Sequence, residues 1–212
     1  MKATIWLTGY EPFGEHEENP SQQLVESILN TTRIHRLQPA STHALESESI
    51  EMTFLGMVLP VDEAGSRLSI EYFESVDAVV HVGLHENSEK VRFEMCATNM
   101  CDFRIPDNSG RQLSGDFIDE FGDALLHTTV NTPSLSNAFS ENDAVIISED
   151  CGRFVCNETY YRTLYSIKER CLQSRGQALP AIFVHIPSFT HVSAEVQLEI
   201  LCELCAHIVQ KL

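Results

Sequence analysis

No run of apolar residues among the 212 is long enough to cross a bilayer, which excludes a membrane-spanning helix. The first residues, M-K-A-T-I-W-L-T-G-Y, carry one lysine and then alternate. They lack the apolar segment and small-residue cleavage site of a secretory signal, so the expected location is cytoplasmic. Positive charge is scarce: 14 Lys and Arg stand against 31 Asp and Glu, a formal net charge of −17. Binding a phosphate backbone needs clustered cations, so no nucleic-acid partner and no membrane partner are expected. An even cysteine count is missing too. Seven cysteines without a secretory signal point to reduced thiols, not a disulfide framework. G-x-S-x-G, G-x-x-x-x-G-K-[ST] and a G-x-G-x-x-G after a strand are all absent. That removes the common serine-hydrolase and nucleotide readings. No repeat, low-complexity tract or linker divides the chain, so residues 1–212 read as one domain with a sizeable core.

What is present is an alternation of strands and amphipathic helices. Thr4 to Thr8 reads as a strand, followed by the turn-rich loop Gly9-Tyr10-Glu11-Pro12-Phe13-Gly14. Asn19 then fits a helix N-cap and Pro20 its first turn. Thr31 to Glu51 is polar, with room for a loop and an edge strand. Met52 to Val61 contains a strand, and Asp62 caps a helix carrying Leu68, Ile70, Tyr72 and Phe73. Val76 to Leu84 is apolar almost throughout, the mark of a strand covered on both faces. His85 to Gly115 is irregular and polar, with a short strand around Phe93 and a binding-type loop at Arg104-Ile105-Pro106-Asp107-Asn108. Phe117 to Thr129 reads as a weak helix and Asn131 to Asn142 as a surface loop. Ala144 to Ile147, Ala181 to Ile186 and Ser193 to Leu212 read as two further strands and a terminal helix.

The stretch from Asp143 to Arg162 organises the chemistry. A strand leads through a polar turn, Ser148 to Gly152, into a helix with Tyr160, Leu164 and Ile167 at helical spacing. Cys156 falls in that helix's first turn, where unpaired N–H groups and the helix dipole favour a thiolate. A free cysteine is more often a small buried hydrophobe. His185, in an apolar strand before Pro187, is by type more often a hydrogen-bonded core residue than a catalyst. Its weight rises if strand 181–186 lies beside strand 144–147, with both carboxyl ends at one crevice. The imidazole then takes the Cys156 proton, and Glu94 orients it. Glu94 shares a strand face with Arg92, away from Phe93 and Met95. Cys202-x-x-Cys205 sits on one helix face with no second ligand pair, so core packing is expected and no metal. His81 and His85 bracket a strand end and read as structural.

Four segments together resemble one family, in its order: T-G-Y-E-P-F-G with N-P-S from Thr8 to Ser21, Phe93-Glu94 with R-I-P-D-N at 104–108, G-R-F-V-C-N at 152–157, and F-V-H-I-P at 183–187. They resemble the motifs of pyroglutamyl peptidase I, also called pyrrolidone-carboxylate peptidase. The resemblance spans nearly the whole chain. It implies an α/β fold of three α/β/α layers around a twisted mixed sheet, phosphorylase/hydrolase-like. It implies a cofactor-free, metal-free cysteine omega-peptidase that removes N-terminal pyroglutamyl residues from peptides, in a family that often forms homo-dimers or homo-tetramers. Carried over by position, Cys156 is the nucleophile, His185 the base and Glu94 the orienting acid. The Arg104 side chain and the Cys156 backbone N–H form the oxyanion hole. The pyroglutamyl ring lies between Tyr10 and Phe13. Ile105, Phe154 and Val155 add apolar wall, Leu84 backbone groups bind the lactam, and Asn19 supports the pocket.

The chain also departs from the pattern. Tyr10 stands where phenylalanine is usual and Glu15 where a second glycine is common. The loop from His85 to Lys90 lacks a Gly-Arg pair. Glu149-Asp150-Cys151 replaces a small neutral turn, and its two acids are expected to raise the Cys156 pKa. Cys151 so near Cys156 raises an inhibitory disulfide between them. These departures leave two other readings open: a relative that binds cyclic N-termini without turnover, and an acidic scaffold whose cysteines are all core.

Overall fold

The computed structural model describes residues 1–36, 49–68, 70 and 75–212. The strands, in chain order, begin with β1 Lys2–Tyr10, β2 Thr32–Arg36, β3 Ser49–Leu59, β4 Ala78–Leu84 and β5 Val91–Glu94. Short strands follow: β6 Cys96–Thr98, β7 Cys101–Asp102, β8 Ser114–Asp116 and β9 Leu125–His127. The last four are β10 Val145–Ser148, β11 Gln173–Ser174, β12 Gln177–Ala178 and β13 Ala181–Ile186. The helices are α1 Pro20–Glu26, α2 Glu63–Leu68, α3 Thr132–Ala138, α4 Val155–Glu169 and α5 Ala194–Gln210.

Seven strands form one mixed sheet in the order β10-β5-β13-β4-β1-β3-β2. β3, β1, β4 and β13 are mutually parallel, β5 and β10 run the other way, and β2 is an antiparallel edge. Side chains alternate across the strands. Ile5 and Leu7, Val80 and Val82, Ile182 and Val184 pack with Leu24, Leu135 and Leu204 under α1, α3 and α5. Trp6, Val79, Ala181 and Phe183 pack with Val155, Tyr160, Leu164 and Leu68 under α4 and α2. The sheet is thus covered on both faces, as the near-continuous apolar strands require. No helix among the described residues is long and apolar enough to cross a membrane.

Local signals at the helix starts hold. Asn19 caps α1, accepting from Ser21 N at 2.9 Å, with Pro20 following. Asp62 accepts from Gly65 N at 2.8 Å at the head of α2. Tyr72 and Phe73 of the expected helix lie outside the described residues, as does 37–48 of the expected polar loop. β2 is the edge strand expected after Thr31.

Two expectations fail. Residues 117–129 hold no helix. Asn99 accepts from Ile118 N and Asp119 N and donates to the Asp119 and Gly122 carbonyls, while β9 pairs with β6. Those backbone groups are therefore spent outside any helical ladder. The segment 131–142 is not all loop: Asn131 accepts from Ser134 N and starts α3, with Pro133 in the first turn. The capping signal was the same as at Asn19 and Pro20.

Candidate active site

β10 does not lie beside β13. β5 stands between them, and β10 and β13 run in opposite directions. Their carboxyl ends therefore do not share a crevice. The chain leaves β10 at Ser148, level with Glu94 and Phe183, and the turn 149–154 returns it over the sheet face to α4. The turn is built by Asp150. Its carboxylate accepts from Gly152 N at 3.1 Å and pairs with Arg153 at 3.1 Å. Gly152 takes φ +76°, a left-handed conformation that L side chains resist.

α4 starts at Val155 behind an N-cap at Phe154 that makes no side-chain cap bond, so Cys156 is the second helical residue. Its thiol rests on Gly83 of β4. A Cβ at position 83 would stand 3.0 Å from Cys156 Sγ and 2.8 Å from Phe183 Cζ. The glycine is thus the seat of the thiol. In the sheet register Gly83 is opposite His185, and His185 is opposite Arg92. β1 and β4 are paired at Thr8 and His81, and both strands continue, so Tyr10 comes level with Gly83 on the other side. Tyr10, Gly83, His185 and Arg92 therefore form one row across the face under α4.

His185 is buried, and its Nδ1 lies 2.9 Å from Glu94 Oε1. Arg92 Nε donates to the same oxygen at 3.1 Å, and its Nη2 to Ser148 Oγ at 2.6 Å. Burial opposes ionisation of Glu94, but the hydrogen bond and charge of His185, with help from Arg92, hold its carboxyl below the usual range. An ionised carboxylate only accepts, so Nδ1 donates to it and Nε2 is the nitrogen left over. Burial, and then Glu94, push the Cys156 thiol up to about 12, against the pull of its own backbone N–H. The helix terminus alone does not make a thiolate here. The acid acting on Cys156 is Glu94 and not the turn residues Glu149 and Asp150.

Cys156 and His185 share a cavity of about 200 Å³, small for a ligand site. Tyr10, Phe13, Asn19, Leu84, Phe154 and Val155 line it, as expected. Asn19 also donates to the Glu11 carbonyl at 2.9 Å, which holds the Tyr10–Phe13 loop in place. Asn108 Nδ2 ties the 104–108 loop to Glu11 Oε1 at 2.8 Å and to the Pro12 carbonyl at 2.9 Å. Arg111 clamps the same loop to α4, pairing with Asp107 at 2.9 Å and Glu158 at 2.6 Å. Arg104 and Ile105 are not brought into the cavity. They line an adjoining groove of about 280 Å³ that also touches Phe13, Leu84, His85 and Phe154. Arg92, Val61, Cys151 and His85 line the cavity and were missed as site residues. His85 was legible: His81, Gly83 and His85 alternate onto one face. All seven cysteines are free thiols, Cys151 and Cys156 included. Cys205 is fully buried in the core, with Cys202 packed against it.

A model of the pyroglutamyl peptidase family matches residues 3–201. The chain belongs to the pyroglutamyl peptidase family. It is 27% identical over 187 residues to a pyrrolidone-carboxylate peptidase of Thermococcus litoralis, covering 86% of this chain and 76% of that protein. A Deinococcus radiodurans pyrrolidone-carboxylate peptidase is 29% identical over 197 residues, covering 91% and 82%. The fold matches a mutant pyrrolidone carboxyl peptidase of Pyrococcus furiosus with TM-score 0.80 and 21% identity, over 99% of each chain. It matches the pyroglutamyl peptidase I of Bacillus amyloliquefaciens with TM-score 0.77 and 21% identity, over 99% of this chain and 96% of that one. A mixed sheet between helix layers is thus the family's fold as well as this chain's.

Proposed function

We propose that Cys156, His185 and Glu94 hydrolyse the bond after an N-terminal pyroglutamyl residue of peptides. Membership of the pyroglutamyl peptidase family makes the chain a cysteine-type peptidase. The observation that carries the residue assignment is the buried His185–Glu94 pair beside a helix-borne thiol in one small cavity. His185 Nε2 takes the Cys156 proton as sulfur attacks the carbonyl carbon, and the C=O electron pair moves to oxygen. The tetrahedral intermediate collapses, the C–N bond breaks, and imidazolium returns the proton to the leaving amine. Water, deprotonated by the same imidazole, then cleaves the thioester, releasing pyroglutamic acid and the thiol. Glu94 stabilises the imidazolium at each stage. The oxyanion donor that this geometry supports is the Cys156 N–H, in the open first turn of α4. Arg104 lines the adjoining groove, which shares Phe13, Leu84, His85 and Phe154 with the cavity.

The cavity suits the substrate. Its walls at Tyr10, Phe13, Val61, Leu84, Phe154 and Val155 are largely apolar. A lactam ring is small and uncharged, with one N–H and one C=O for the Leu84 backbone. A free glutamyl N-terminus would bring a charged amine into the same walls at a desolvation cost. A binder without turnover has no observation in its favour, since the turn acids do not act on Cys156. Free thiols throughout suit a reducing compartment, and we place the activity in the cytoplasm. A pyroglutamyl-amide reporter tests the reading. The protein releases the amine under reductant, and Cys156→Ser and His185→Ala lose at least about 10³-fold and about 10²-fold respectively. Full activity in either variant sinks the mechanism.

A further inference from the structure

β4 carries a second imidazole to the site. Alternation puts His81, Gly83 and His85 on the α4 face in that order. His81 is sealed below, Gly83 seats the thiol, and His85 stands at the mouth. Its position is fixed by the backbone, because His85 N–H donates to the Ile186 carbonyl at 2.9 Å and extends the β4–β13 pairing past Leu84. Its ring meets the His185 ring edge-on, with centroids 5.4 Å apart at 81°. It lines both the nucleophile cavity and the adjoining groove, so it marks the junction between them.

No other residue among those described hydrogen-bonds the His85 ring; its own backbone acts on it, and Nδ1 is buried. The tautomer with the proton on Nε2 points that N–H into the open junction. Burial, then His185 and Arg92, lower the His85 pKa, so the ring is neutral at neutral pH. In that tautomer the junction presents one uncharged N–H donor that no other described residue receives.

We propose that His85, as its Nε2–H tautomer, is a specificity-determining residue that donates a hydrogen bond to the carbonyl of the residue after the scissile bond. The pyroglutamyl ring fills the small cavity, sulfur stands over Gly83, and the leaving peptide must exit through the junction into the groove. The first carbonyl beyond the scissile amide passes His85 there. The enzyme thus recognises a pyroglutamyl group that continues as a peptide, over one attached to a simple amine. This rests on the peptidase reading above.

The test compares two substrates: pyroglutamyl-alanine amide, which has the following carbonyl, and pyroglutamyl p-nitroanilide, which has no carbonyl there. In His85→Leu the ratio of kcat/KM, peptide over anilide, falls about three- to tenfold, the worth of one neutral hydrogen bond. His85→Ala, which leaves space in place of bulk, shows the same fall should the leucine disturb folding. His85→Gln, which keeps a donor near the Nε2 position, restores the ratio. An unchanged ratio, an equal loss on both substrates, or no restoration by glutamine overturns the proposal. Wild-type protein that cleaves neither substrate, or cleaves them after Cys156→Ser, overturns the peptidase reading and this proposal with it.

Discussion

Two rows of side chains cross the sheet face under α4, two residues apart along the strands, and each contains a buried histidine. The inner row is Thr8, His81, Phe183 and Glu94. The outer row is Tyr10, Gly83, His185 and Arg92. His81 is 0% exposed and His185 is 4% exposed, so burial does not separate them. Their partners do. His81 Nδ1 meets Thr8 Oγ1 at 2.7 Å and its Nε2 meets Thr163 Oγ1 at 2.9 Å. Both nitrogens are used, and burial lowers its pKa to about 3, so the ring stays neutral. His185 spends one nitrogen on a carboxylate and keeps the other for the cavity it shares with Cys156. Two hydroxyls occupy both nitrogens of the inner ring, whereas the carboxylate occupies one nitrogen of the outer ring and leaves the other.

The carboxylate is the place to break that contrast. Glu94→Gln keeps the shape but removes the charge that stabilises the imidazolium. The expected loss in kcat is about 10²- to 10⁴-fold with KM little changed. Steady-state kinetics on the pyroglutamyl reporter would read it, and a kcat within threefold of wild type contradicts the role. Next in size is the seat of the thiol. Gly83→Ala forces a Cβ against Cys156 Sγ and Phe183, both side-chain atoms that can shift. Displacing the nucleophile is expected to lower kcat/KM about 10²-fold while circular dichroism stays native. Unchanged kinetics would show that the thiol does not need this seat.

The inner row predicts a stability effect. The His81 ring is neutral when folded, with its pKa lowered to about 3, but titrates near 6.5 in the unfolded chain. The unfolded state binds the extra proton, so this contribution is complete above pH 6.5 and is lost as pH falls toward 3. The slope is about 1.4 kcal/mol per pH unit, so about 2 kcal/mol is lost between pH 6.5 and 5. His85 and His207, also lowered, add slopes of the same sign. Urea midpoints at the two pH values should move less in His81→Asn than in wild type; an equal movement removes His81 from the account. The smallest effect is at the end of the outer row. The Tyr10 hydroxyl is buried beside the Thr159 hydroxyl, and neither makes a well-formed hydrogen bond. Tyr10→Phe should change stability by no more than about 1 kcal/mol, with kcat/KM within threefold. A tenfold loss would mean that the hydroxyl touches the thiol or the substrate.

Much of the site was legible because its residues sit beside strong local signals. Asn19 and Pro20 announce a helix start, Cys156 follows a strand and turn, and His185 ends an apolar strand before proline. Glu94 and Arg92 were placed on one face by alternation alone, and they are an ion pair at 3.1 Å. The cavity lining at Tyr10, Phe13, Leu84, Phe154 and Val155 came from the motif resemblance. What misled was any step that needed a neighbour. The helix expected at 117–129 lost its backbone bonds to Asn99 and β6. The expected low thiol pKa ignored burial and the nearby Glu94.

Strand and helix faces, the reduced cysteines and the residue types that a thiol peptidase needs can all be read along the chain. They follow from period, capping and composition, which are local. The proposal of one histidine among three as the base rests on three dimensions. It depends on β5 lying between β10 and β13, on the bare surface of Gly83 and on who bonds each ring nitrogen. That Arg104 lines the groove and His85 the junction between groove and cavity is likewise a matter of tertiary placement. Burial and charge at one point in space come from strands far apart in the chain, and no local pattern encodes them.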